Sequence, residues 1–159
     1  MTRSDEFRAI FDGLAGESVD VIFTIGSHGD PTALGSSPDN VRVERFVPQQ
    51  GILPACSAVI TQGGAGSMLG ALTFGCPILF VPQGADQFVS AERAVNAGAG
   101  LRLLPREVAP EAIRTGLRRL LDEPSFAKSA MKISNEIADM PPPLAAVSPL
   151  ERLVRSRIV

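Results

Sequence analysis

AVITQGGAGSMLGALTFGCPILFVPQGADQ occupies residues 58–87. Two short apolar runs frame it, Ala58–Thr61 and Pro77–Val81. Neither alternates with polar residues, which is the pattern of strands buried on both faces of a parallel sheet. Between them Met68–Phe74 has helical character, and Gly75 is placed to close that helix. After the second run, Asp86–Ala97 predicts a helix with Phe88, Ala91 and Val95 on one face. Strand, helix, strand, helix, with apolar strands throughout, predicts an α/β, Rossmann-like fold: a parallel sheet with helices on both faces.

The same rhythm extends outward. Val19–Ile25 reads as a buried strand ending at Gly26. Val41–Val47 reads as a short strand terminated by Pro48, and Ala99–Leu104 as a last strand. Gly51–Ala55 offers at most one helical turn. Ser27–Asn40, rich in Gly, Ser, Pro and Asp, is expected to be a loop. Helices are expected over Asp5–Leu14, with Phe7, Ile10, Phe11 and Leu14 at helical spacing, and over Pro110–Leu121, Ser125–Met140 and Pro149–Ile158. Pro141-Pro142-Pro143 is a stiff linker. No internal repeat or change of composition divides the chain. One domain over residues 1–159 is expected, with its core in 17–140 and a linker and C-terminal helix in 141–159. A doubly wound domain usually opens with a strand, and this chain opens with a helix.

Composition narrows the partners. At 159 residues the chain is long enough to bury a core, and 45% hydrophobic residues suffice to build one. A net charge of -2 argues against a nucleic-acid surface, which needs clustered basic side chains. No apolar run approaches the ~18 residues of a membrane span. Cys56 and Cys76 match no metal-ligand spacing and read as small buried thiols. Reduced thiols and the lack of a signal-peptide pattern predict a cytoplasmic protein. With no Trp and no Tyr, only the eight Phe side chains can stack on an aromatic ligand.

Three constellations carry chemistry. Gly63-Gly64-Ala65-Gly66-Ser67 lies between a strand and a helix. Glycines there let backbone N–H groups approach a ligand closely, and a helix start adds unpaired donors and a positive dipole end. That is an anion site, most often for phosphate, and Ser67 adds a hydroxyl. The spacing is neither the dinucleotide fingerprint nor the P-loop, and the competing reading is a tight turn with glycine for packing. Pro82-Gln83-Gly84-Ala85-Asp86-Gln87 also follows a strand, so it lies at the same carboxyl edge, where open α/β sheets bind ligands. Asp86 and Gln87 suit the vicinal hydroxyls of a sugar, although Asp86 as a simple N-cap is the alternative. Phe46 at a strand end, followed by Val47, Pro48 and Gln49, is either a platform for a flat base or a core residue.

In this order and spacing the pieces resemble the C-terminal donor-binding domain of GT-B glycosyltransferases that use UDP- or TDP-sugars, in particular bacterial enzymes acting on natural-product aglycones. The likeness covers roughly residues 17–155 and centres on RFVPQQGILPACSAVITQGGAGSMLGALTFGCPILFVPQGADQ. It implies that Phe46 stacks on the nucleobase with Gln49 beside it. It implies that Gln62, Gly63, Gly64, Ala65, Gly66 and Ser67 border the diphosphate, and that Asp86 and Gln87 hold the donor sugar. No cofactor or metal is implied; the donor is the substrate, and the acceptor is a small molecule such as an aglycone.

The departures are specific. The family commonly has His where this chain has neutral Gln62, and a charge-assisted bond is roughly twice as strong as a neutral one. Plant members carry Glu at the position of Gly70. The family also has a strand, near the middle of the sheet, before the helix at Asp5–Leu14. Its catalytic base comes from an acceptor domain, so the catalytic residue here is unknown; His28, the one histidine, reads as a solvated loop residue. Two functions follow: a transferase half completed by a separate acceptor-domain subunit, or a non-catalytic nucleotide-sugar-binding module or remnant. A nucleotide-sugar epimerase is a third. Arg114, Arg118 and Arg119 read as a solvated helix face. Arg152, Arg155 and Arg157, with Leu153, Val154 and Ile158, read as an amphipathic tail suited to docking on a partner domain.

Overall fold

A computed structural model describes residues 3–155. In chain order the elements are α1 (Arg3–Leu14), β1 (Val21–Thr24), β2 (Val41–Glu44), α2 (Gln49–Ile52), β3 (Val59–Thr61), α3 (Ala65–Thr73), β4 (Ile78–Phe80), α4 (Gln87–Asn96), β5 (Gly100–Arg102), α5 (Pro110–Asp122), α6 (Pro124–Ala138) and α7 (Val147–Arg155). The expected helix at the C-terminus reaches Ile158; residues 156–159, Arg157 and Ile158 among them, lie outside the described residues, as do Met1 and Thr2.

Every strand pair is parallel. Strand β4 shows why helices cover both faces. Ile78, Leu79 and Phe80 are all fully buried. Ile78 and Phe80 pack with Leu72 of α3, Ala91 and Ala94 of α4 and Ala130 of α6. Leu79 and Val81 point the other way, into a cluster with Phe11 and Leu14 of α1 and with Ile113, Leu117 and Leu120 of α5. Alternation along one strand therefore feeds two cores.

The single sheet expected from the sequence is hydrogen-bonded in two pieces, β1–β2 and β3–β4–β5. β1 uses one edge for β2, and β3 uses one edge for β4; they exchange no bonds with each other. The described residues hold no strand before α1, where the family pattern has one near mid-sheet. Side chains join the pieces instead: Phe23 of β1 and Val41 of β2 belong to the same cluster as Leu79 and Val81. Phe23 receives Phe7 and Phe11 edge-on, with ring centroids 5.8 and 5.6 Å away.

Several boundaries have local causes. β2 stops at Glu44 rather than Val47 because its partner runs out: the last ladder bond is from Ile25 N–H to Glu44 O. Helices α3 and α4 both end in Schellman motifs. Gly75 and Gly98 adopt positive φ (69° and 75°), and the following residues, Cys76 and Ala99, donate back to Ala71 and Ala94. Asn40 ties the α1–β1 turn to the start of β2. Its Nδ2 reaches the carbonyls of Leu14, Glu17 and Val19, and its Oδ1 accepts from Gly16 N–H at 3.0 Å. The loop 27–40 contains one 3-10 turn, Pro31–Leu34, whose start is capped by the Asp30 carboxylate.

The arginine face of α5 is not simply solvated. Arg114 and Arg118 both grip Glu17, at 2.9 and 2.8 Å, and Arg119 pairs with Glu123 at 2.7 Å. Glu17 thereby locks the end of α1 onto α5. α7 stands apart, its main contact the preceding 3-10 turn, Pro143–Ala146. Its Leu150, Leu153 and Val154 are more than half exposed. No helix among the described residues is long and apolar enough to cross a membrane.

Candidate functional site

Because β2, β3 and β4 are parallel within their sheet pieces, each hands its next residues to the carboxyl end of its piece. Phe46 and Gln49 follow β2, Gln62–Ser67 follow β3, and Asp86 and Gln87 follow β4. Two close approaches connect these segments. A Cβ built on Gly63 would lie 3.0 Å from the Phe80 ring and 3.5 Å from the Gln87 carbonyl oxygen, so the Gly63 turn backs onto the start of α4. A Cβ on Gly70 would lie 3.6 Å from Gln49 Oε1, so the Gln49 side chain reaches the body of α3.

The glycines divide by role. Gly63 is buried and has φ 92°, a conformation open to glycine and strained for other residues. Gly64 and Gly66 have no neighbour within 4 Å of a would-be Cβ. They leave room beside the backbone. The helix begins at Ala65 rather than Met68, with Gly64 at the N-cap and no side chain capping it. The first intrahelical bond runs from Met68 N–H to Gly64 O at 3.0 Å. The N–H groups of Ala65, Gly66 and Ser67 therefore precede any intrahelical partner, which is the anion-binding condition. The expected loop is in fact the first helical turn. Ala and Ser with one Gly tolerate helical backbone, and the flexibility that glycine signals in a sequence is used at Gly63 instead.

Phe46 is 74% exposed, so the core alternative for it does not hold. Asp86 occupies the N-cap of α4 but makes no side-chain cap bond, and it is exposed. Gln87 is partly committed: its Oε1 accepts from Gln83 N–H at 2.8 Å and Gly84 N–H at 3.1 Å. Its Nε2 is the end left to meet a ligand, so Gln87 is a donor rather than the two-way group its residue type suggests. Ala85, between these residues, has φ 52°, the one non-glycine positive φ among the described residues. His28 is exposed on its loop. Concavities lie along α7 and between β5 and α5, and neither includes these residues. Of the candidate residues, Phe46, Ala65, Gly66 and Asp86 are exposed, and Gln62, Gly64, Ser67 and Gln87 are half-buried.

The sequence reading missed Glu6 and gave Gln83, within its segment, no role of its own. Gln83 Nε2 donates to Glu6 Oε2 at 2.7 Å. Glu6 was legible as an anomaly: it shares a helical stripe with buried Ala9 and Gly13, and a carboxylate at such a position needs a partner. The cysteines read as expected. Cys76 is buried, Cys56 half-buried, and both are free. Burial, with the neighbouring Cys56, pushes the Cys76 thiol up to about 11.

The chain matches the family model "Erythromycin biosynthesis protein CIII-like, C-terminal domain" over residues 8–153. It is 37% identical over 144 residues to aklavinone 7-beta-L-rhodosaminyltransferase of Streptomyces galilaeus, covering 91% of this chain and 32% of that protein. It is 36% identical over 120 residues to 3-alpha-mycarosylerythronolide B desosaminyl transferase of Saccharopolyspora erythraea, covering 76% and 28%. Among solved structures, the glycosyltransferase VinC in complex with dTDP superposes with a TM-score of 0.86 at 33% identity, over 94% of this chain and 37% of that one. Spinosyn rhamnosyltransferase SpnG complexed with thymidine diphosphate gives 0.81 at 33% identity, over 93% and 40%. The chain thus spans about a third of the length of these relatives.

Proposed function

The chain belongs to the family of erythromycin biosynthesis protein CIII-like C-terminal domains, the Rossmann-like half of GT-B glycosyltransferases, and from that premise we propose that it binds a TDP-sugar, or its UDP counterpart, for hexosyl transfer to a small natural-product acceptor. The observation that carries this is the start of α3. Three backbone N–H groups precede any intrahelical partner, at Ala65, Gly66 and Ser67, and a would-be Cβ on Gly64 or Gly66 meets nothing within 4 Å, with Gln87 just behind Gly63. Phe46 is the base platform with Gln49 beside it, Gln62 to Ser67 border the diphosphate, and Asp86 with the Gln87 amide holds the sugar.

In transfer, an acceptor hydroxyl displaces the nucleoside diphosphate at the anomeric carbon, and negative charge grows on the departing phosphate. Backbone donors fixed in advance at that charge contribute on the order of 3 kcal/mol each. Asp86 and Gln87 hold the anomeric carbon in place, replacing a bimolecular search with bound geometry. The proton on the acceptor goes to a base that we assign to an acceptor domain, in the same polypeptide or a separate subunit. Two free thiols fit a reducing, cytoplasmic setting.

Gln62 favours a second reading, binding without transfer, because a neutral side chain stands where the family commonly has His. Titration calorimetry of the chain with TDP and UDP tests the binding. We expect saturable binding of one or both, lost in Gly64→Glu, whose carboxylate would occupy the phosphate space. Gly64 has φ −59°, so the substitution leaves the fold intact. Binding that survives Gly64→Glu would remove the α3 start as the site. Mixing the chain with a GT-B acceptor domain and assaying hexosyl transfer separates the two readings.

A further inference from the structure

Among the described residues Glu6 is the only charged residue that is buried, at 7% exposed. It sits in the first turn of α1, 77 positions away in sequence from the residue it meets, Gln83. Gln83 belongs to the segment between β4 and α4 that carries Asp86 and Gln87. That segment is held at several points. Pro82 is fully buried at its start. The Gln87 amide oxygen takes the N–H groups of Gln83 and Gly84, and Gln87 N–H returns to Gly84 O at 3.2 Å. The backbone in between is strained at Ala85, and a strained residue persists only where its surroundings over-determine it. The bonds through Gln87 are local and turn with the segment. The 2.7 Å bond from Gln83 Nε2 to Glu6 Oε2 ties it to a different helix.

We propose that Glu6 is a positioning residue for donor-sugar recognition: through Gln83 it fixes the Pro82–Gln87 segment so that Asp86 and the Gln87 amide meet the sugar. This rests on the sugar-binding role given to Asp86 and Gln87 above. A carboxylate suits the task because it accepts from the amide with a charge-assisted, short bond. Its burial removes competing water.

The readout is the ratio of TDP-glucose affinity to TDP affinity, by calorimetry on the full 159-residue chain. TDP reports the base and phosphate contacts; only the ratio reports the sugar segment. Glu6→Ala is expected to lower TDP-glucose affinity roughly tenfold, the scale of one lost hydrogen bond to a charged group, and to leave TDP affinity unchanged. Gln83→Ala should do the same, and the double variant should be no worse than either. Glu6→Gln keeps an acceptor oxygen for Gln83 and should recover most of the ratio. Its near-identical shape guards against a folding defect in the alanine variant. An unchanged ratio in Glu6→Ala overturns the proposal. So does equal weakening of both ligands, which would make Glu6 a purely structural residue. A wild-type chain that binds TDP-glucose no better than TDP would instead defeat the sugar role of Asp86 and Gln87, and the proposal with it.

Discussion

Phe46, Gly63 and Cys76 illustrate how differently single residues bear on binding, stability and reactivity. Phe46 is exposed, so truncation removes little packing. Phe46→Ala should leave the melting temperature unchanged and weaken TDP binding by about 1–3 kcal/mol, the range for stacking a base on an aromatic ring. Gly63 is the reverse. A side chain there meets the Phe80 ring at 3.0 Å on a backbone with positive φ. Gly63→Ala should destabilise the chain by about 1–3 kcal/mol in denaturant melts, whereas Gly64→Ala, with open space and ordinary dihedrals, should not. Cys76, with its thiol pushed up to about 11, should resist a thiol-specific reagent at neutral pH in the native state and react on unfolding. The glycine run announced close backbone approach, but a run alone does not say which glycine is strained and which merely leaves room. That distinction comes from neighbours distant in sequence, Phe80 and Gln87.

At the scale of elements, the helices were legible from their apolar period and the strands from short continuous apolar runs. Buried β4 is apolar on both faces, and α5 repeats Ile113, Leu117 and Leu120 on one side. Strand ends were less legible, since β2 stops where its neighbour's backbone stops rather than at Pro48. The α5 arginines looked like solvated charge for a similar reason: Glu17 is 97 residues from Arg114. That clamp has a pH signature. The Arg118 guanidinium, hydrogen-bonded to Glu17, holds its carboxyl below the ordinary 4.5, with Arg114 adding to the effect. A carboxylate with a lowered folded pKa contributes its full stabilisation above the ordinary value and loses it as pH falls through the lowered one. Glu17→Gln should therefore melt below wild type at neutral pH, and the gap should close as the pH drops below about 4.5. A gap independent of pH would mean that the clamp acts through packing alone.

For the whole molecule, the decisive features are a sheet in two hydrogen-bonded pieces and an α7 with its apolar side uncovered. The match to the family model extends over residues 8–153, from within α1 into α7. Phe46, Ala65, Gly66 and Asp86 are exposed beyond the carboxyl ends of β2, β3 and β4, and together they form one wall. The central claim is that this wall alone recognises a sugar nucleotide. A crystal structure of the chain soaked with TDP-glucose tests it most directly. The pyrophosphate oxygens are expected at about 2.7–3.2 Å from the amide nitrogens of residues 65–67, with thymine on the Phe46 ring and the hexose against Asp86 and Gln87. Ligand density elsewhere, or side chains of the protein filling the space beside Gly64 and Gly66, would contradict it.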